Sequence, residues 1–341
     1  MSAIIGSAAV VGPEAGKILA PVAKAVGKSI AKAAPGRFRA WRQRVALRKV
    51  LGIAADDCFH YRLPSIDHPL LQLDSPHPDD LAAFSAVAGP SLIHAHRNGW
   101  LEEVDQLRLD LTQNLVTIGS PEVEPFIRLA FDYRRNLRGA GLRYVGETVK
   151  FPYRWHEDPT EIVAKCARYV PDHGLVTRPN WPLIWTDPRA AAERRLIPQV
   201  NARTGMLESD YLLITSMPNF LTPEALDSGR RFVNIAGVHG IATAAISLVL
   251  RKRKLLAEIS ESILPLDRTS AFQILVEVSK IEHDAGTGRS RAQAIRLLDI
   301  WTESGISFDQ WATATVVVAE RFSDWVLESE LRNHPDPHER R

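Results

Sequence analysis

Nineteen mostly apolar residues, Phe232 to Leu250, run directly into Arg251, Lys252, Arg253 and Lys254. A run of that length with a basic flank has the dimensions of a membrane span. Asn234, Gly237, His239 and Gly240 interrupt it near the middle, however, and a polar group without a partner at bilayer depth costs about 1–3 kcal/mol. The run also divides naturally. Phe232 to Ala236 is short and apolar enough for a buried strand, and Gly237-Val-His-Gly240 can turn the chain. Ile241 to Leu256 then has helical spacing, with basic residues in its later turns, where they suit the helix dipole. The sequence therefore predicts strand, turn and helix rather than a span.

Two further stretches extend this pattern. Tyr211 to Ser216 reads as a buried strand leading into Met217-Pro218-Asn219. Leu115 to Ile118 reads as another, followed by the turn Gly119-Ser120-Pro121, with Pro121 and Glu122 opening a helix. A strand, a glycine turn and a helix N-terminus make an anion-receptive corner. One glycine is not a dinucleotide fingerprint, and Glu122 would repel phosphate while accepting hydrogen bonds from ribose hydroxyls or an amine. Asn219 can read a base edge or a sugar hydroxyl, or serve as a turn residue satisfying backbone groups. His239 and Thr243 stand beside the second glycine turn. The candidate ligand-binding residues are thus Gly119, Ser120, Glu122, Asn219, Gly237, His239, Gly240 and Thr243.

Taken together, the IGSP turn, the DYLLITSMPN strand and the FVNIAGVHGIATAA unit resemble a poorly characterised Rossmann-like bacterial domain, over roughly residues 110–280. Members of that group often sit behind helical or regulatory N-terminal segments, so the resemblance implies a sensor or interaction module and no established catalytic residues. The fold expectation is α/β, with a Rossmann-like, mostly parallel sheet flanked by helices. A basic helical arm is expected at 1–55, a helical connector at 56–110, the α/β domain at 111–285, C-terminal helices at 286–333 and a disordered tail at 334–341. Phe272 to Val278 alternates as an edge strand would, whereas Ser290 to Thr302 and Ser307 to Leu331 read as helices.

Two shorter motifs resemble metal sites and fail at the ligands. PHPDD resembles the start of the zinc-dependent sugar deacetylases, which would make His77 and Asp80 ligands and Asp79 a base. Leu81 stands where that family has Glu, and Pro78-Asp79-Asp80 is equally a good helix start. AGVHGIATAA resembles the first motif of the zinc carboxypeptidase-like deacylases, but the Glu that completes the His-x-x-Glu pair is replaced by Ala242. No Gly-x-Ser-x-Gly elbow, Cys-x-x-Cys or complete zinc set occurs. No metal is expected and no cofactor is identified.

Charge divides the chain. Residues 1–50 hold ten of the 42 Lys and Arg and one of the 40 Asp and Glu, leaving 32 bases against 39 acids in the body. Lys17, Lys24, Lys28 and Lys32 fall on one stripe of a helix, and Arg37, Arg39, Trp41 and Arg42 follow Pro35-Gly36. Such an arm can lie on an anionic membrane surface, pack on a protein partner or another subunit, or, less favoured, meet nucleic acid. Two cysteines exclude a disulfide framework and fit a reducing compartment. The expectation is a cytoplasmic protein, peripheral to a membrane if its arm meets lipid, and a homo-oligomer. Three function classes remain: a regulatory or binding protein sensing a small polar or nucleotide-like ligand, a hydrolase or glycosyl-type transferase, and an assembly protein oligomerising through its arm.

Overall fold

The computed structural model describes residues 51, 59–63, 65–68, 73–76, 78–88, 95–97, 111–121, 127, 130–131, 151–155, 165–170, 174–179, 183–186, 192–263, 267–284, 289–316 and 318. All belong to one compact unit, Val45–Arg341. The arm residues Lys17, Lys24, Lys28, Lys32, Arg37, Arg39, Trp41 and Arg42 lie outside the described residues, as does Glu122.

The chain begins with strands β1 (Phe59–Leu63), β2 (Ser65–His68) and β3 (Leu73–Pro76), then helix α1 (Pro78–Ala88). PHPDD is thus a helix start, with Asp79 and Asp80 in the first turn, where the dipole favours acids. Next come β4 (Ala95–Arg97), β5 (Asn114–Ile118) and β6 (Tyr153–Trp155). They are followed by β7 (Lys165–Val170), β8 (Gly174–Pro179), β9 (Leu183–Thr186), β10 (Glu193–Leu196) and β11 (Gln199–Val200). The expected helix over 160–169 is in part β7.

The main sheet has the order β15-β14-β12-β13-β5-β1-β4 once β12 (Leu207–Pro218), β13 (Arg231–Gly237), β14 (Ala271–Asp284) and β15 (Arg289–Glu303) are placed, and β11 pairs with β12 off that path. Strands β4, β1, β5 and β13 run parallel. The other half is antiparallel, from β13 through β12 and β14 to β15. With its antiparallel satellites, the molecule is a mixed, mostly antiparallel α/β protein, which corrects the expected mostly parallel Rossmann-like sheet.

Connection length explains the correction. A parallel return needs a crossover of a dozen or more residues, normally built on a full helix. Between β12 and β13 there is only the five-residue helix α2 (Pro223–Asp227), and the Asn219 N–H donates to the Arg230 carbonyl at 2.7 Å, closing the ends into a hairpin. β14 returns as β15 across residues 285–288, the GTG of the supposed phosphate loop. The expected helix over 290–302 is therefore a strand, and the expected edge strand 272–278 is an interior one.

Helices α3 (Gly240–Ala244), α4 (Ile246–Val249) and α5 (Arg253–Ile263) replace the single helix expected over 241–256. The RKRK run consequently sits where one helix ends and the next begins. Among the described residues no helix is long and apolar enough to cross a membrane.

Alternation along β12 separates two cores. Leu212 and Ile214 join Val233, Ile235, Phe272, Ile274 and helices α1 and α3–α5 on one face. Leu213 and Met217 join Phe232, Phe220, Trp311 and the aromatic β6–β9 segment on the other. Burying each such aliphatic side chain is worth about 1.5–3 kcal/mol. The aromatic layer is pinned by Gln273, 1 % exposed, whose Oε1 accepts from Tyr153 N at 3.0 Å while Nε2 donates to Tyr153 O at 2.9 Å. At the lower end of β13, Arg231 donates to Ser270 O at 2.7 Å and Ser216 Oγ at 3.0 Å. Burial pushes its pKa down to about 9, opposed by the Asp267 charge. A capping box opens the last helical segment, 308–316: Ser307 Oγ accepts from Gln310 N at 3.3 Å and Gln310 Oε1 accepts from Ser307 N at 2.8 Å.

Candidate functional site

Strands β5 and β13 end side by side, in the register Ile118–Ile235. Beyond them the chain must leave the sheet, and two glycines do this. Gly119 has φ +115°, a region closed to most L side chains, and its N–H donates to Ile235 O at 3.0 Å. Asn234 holds the turn by donating from Nδ2 to Gly119 O at 3.1 Å and Thr117 Oγ1 at 3.2 Å. Gly237 is needed for space: a Cβ there would lie 2.5 Å from both Ala242 Cβ and Thr243 N. Its N–H donates to Thr243 Oγ1 at 2.8 Å, so Thr243, 2 % exposed, locks strand to helix.

His239 is the N-cap of α3, but its side chain makes no capping bond. It turns back to β12, where Nδ1 lies 3.1 Å from Asp210 Oδ2. Asp210 is 0 % exposed and fully engaged: Oδ2 also accepts from the His239 N–H at 3.0 Å, and Oδ1 accepts from the Tyr211 N–H at 2.7 Å. An ionised carboxylate only accepts, so Asp210 selects the tautomer with hydrogen on Nδ1. Nε2 is left as an acceptor. It is buried and has no hydrogen-bond partner among the described residues.

A second acid reaches the same turn. A Cβ on Gly240 would lie 2.7 Å from Asp79 Oδ2, so the α1 carboxylate lies directly against the first residue of α3. Tyr211 borders the edge on the opposite face. Burial first, then the Glu277 and Asp210 charges, push its phenol above the ordinary 10.0, with Arg296 pulling the other way. A carboxylate-held imidazole of this kind can bind a hydroxyl or amine hydrogen through Nε2, or take a proton from it.

Gly119, Ser120, Gly237, His239, Gly240 and Thr243 therefore meet at one edge of the sheet, with Gly237 and Thr243 serving its internal geometry. Asn219 does not join them. Because β12 runs antiparallel to β13, the loop after it lies at the opposite end of the sheet. There Asn219 Nδ2 donates to Leu111 O at 2.8 Å and Gln113 O at 2.6 Å, and Oδ1 accepts from Leu221 N at 3.2 Å. It is a turn residue. Asp210 was not singled out from the sequence; its one signal is an acid placed immediately before the apolar run of a buried strand. Among the described residues no group of three His, Cys, Asp or Glu is arranged to hold a metal ion. No family model, curated protein or solved structure matches the chain.

Proposed function

We propose that the protein is a regulatory or binding protein whose α/β body takes a small polar or nucleotide-like ligand at the joint end of β5 and β13, while the basic arm engages a membrane surface or protein partner. The observation that carries this reading is the buried, unpartnered Nε2 of His239. A buried polar atom without a partner costs about 1–3 kcal/mol, and a ligand hydrogen placed on it recovers that cost. With Nδ1 turned to Asp210, the group that meets Nε2 is a hydrogen-bond donor, such as a sugar hydroxyl or an amine. The Gly119 and Gly237 turns keep the neighbouring backbone bare of side chains.

A thermal-shift panel of nucleosides, nucleotides, sugars and polyamines tests this, run on the wild type and on His239→Gln. Binding at this edge requires at least one compound to raise the wild-type Tm and to do so less in the variant. A compound that stabilises both equally binds elsewhere.

The second reading is a hydrolase or glycosyl-type transferase. The Asp210–His239 pair favours it, because an imidazole steadied by a buried carboxylate is the arrangement of a general base. Among the described residues no hydroxyl or thiol nucleophile hydrogen-bonds to Nε2, so the base would act on water or on the ligand itself.

A further inference from the structure

The last strand of the main sheet, β15, runs for 15 residues, about 50 Å, and among the described residues no strand pairs with its outer side. Sheets ordinarily keep such edges short, because a row of unpaired N–H and C=O groups is a template for another chain. The β14–β15 hairpin also extends past its neighbour. β12 pairs with β14 only as far as Ser209–Ser279, whereas β14 and β15 stay paired to Asp284–Arg289.

Edges of this length are often blunted with charge, and β15 carries charge in a particular order. Its first eight residues hold Arg289, Arg291 and Arg296 and no acid; its last five hold Asp299 and Glu303 and no base. A uniformly basic strand repels a copy of itself in either direction. Segregated signs repel a parallel copy, which sets like against like, but attract an antiparallel one. Pairing centred on residues 295–297 sets Arg289 and Arg291 of one copy beside Asp299 and Glu303 of the other, twice over because of the two-fold axis. The β-bulge, which leaves Leu298 as the extra residue between Leu297 and Asp299, sits next to that axis, and Leu298 is 38 % exposed there.

We infer that β15 is a dimerisation edge, through which two copies of this chain pair antiparallel and join their sheets. The partner is a second copy because the charge order along β15 is complementary to its own reverse.

Sedimentation velocity of the full chain, at tens of micromolar, tests this with four proteins: wild type, Arg291→Glu, Glu303→Arg and the double variant. Both positions are exposed. The wild type is expected to be a dimer that weakens with added salt. Each single reversal, occurring at two symmetric contacts, is expected to raise the dissociation constant roughly tenfold, and the double variant to restore it. A monomeric wild type overturns the inference. So does a dimer indifferent to both single changes, or a double variant no tighter than either, since a general loss of strand stability would not be rescued by a charge at the far end of the same strand.

Discussion

A single oxygen, Asp210 Oδ2, accepts the backbone N–H of His239 at 3.0 Å and faces Nδ1 of the same residue at 3.1 Å. The carboxylate thereby fixes where β13 leaves the sheet and which nitrogen of the imidazole carries the proton. Asp210→Asn separates these two roles. An amide NH2 donates to Nδ1 and moves the ring hydrogen to Nε2, which turns the open acceptor into a donor. The variant is expected to lose about 1–3 kcal/mol of stability in urea unfolding and all of the ligand-dependent rise in Tm. A variant that keeps the rise shows that the tautomer does not matter to binding.

Gly240 and Asp79 are coupled by contact, since a Cβ on Gly240 would meet Asp79 Cβ at 2.9 Å as well as the carboxylate. Gly240→Ala alone is expected to cost about 1–3 kcal/mol, and to cost clearly less in an Asp79→Gly background. Additive losses in a double-mutant cycle by chemical denaturation would place α1 and α3 farther apart than described.

Gln273 stands in for a strand by pairing with both backbone groups of Tyr153. Gln273→Leu leaves those groups buried and unpaired, at about 2–4 kcal/mol. Hydrogen exchange should quicken first in the β6–β9–β10 sheet, with β12 and β13 still protected. Uniform loss of protection would mean that the clamp supports the whole fold.

Tyr153 gives the same region a pH signature. Burial first, then the hydrogen bond to Asp299 and that carboxylate's charge, hold the phenol well above its ordinary 10.0. A raised folded-state value means that the contribution is complete below pH 10 and is lost above it, as the unfolded chain releases a proton that the folded chain retains. Urea midpoints of wild type and Tyr153→Phe, taken from pH 8 to 11, should converge as pH rises through 10. Parallel curves would show that the Tyr153 phenol is not so held.

Local signals along the sequence identified β5, β12, β13 and the start of α1, because each is a short apolar run or an acid-rich cap bounded by glycine or proline. They did not reveal direction. Nothing in the apolar pattern of Leu212 to Met217 says whether the next strand returns parallel or antiparallel, and that choice moved Asn219 to the far end of the sheet. In β15 the extra residue Leu298 breaks the alternation, so that Ile295, Leu298 and Trp301 recur at helical spacing. The glycine turns and His239 were legible as a candidate edge. Asp210, 29 residues away in sequence, became a partner of His239 only once β12 and β13 were paired.

Native mass spectrometry of the full chain, purified without added ligand and then denatured to release any bound molecule, tests the role of His239 most directly. Binding at this edge requires a discrete mass increment on the wild type that is lost or much reduced in His239→Gln at unchanged fold, with a released molecule bearing hydroxyl or amine donors. An increment of equal occupancy in both proteins would contradict it and place the ligand away from the Asp210–His239 pair.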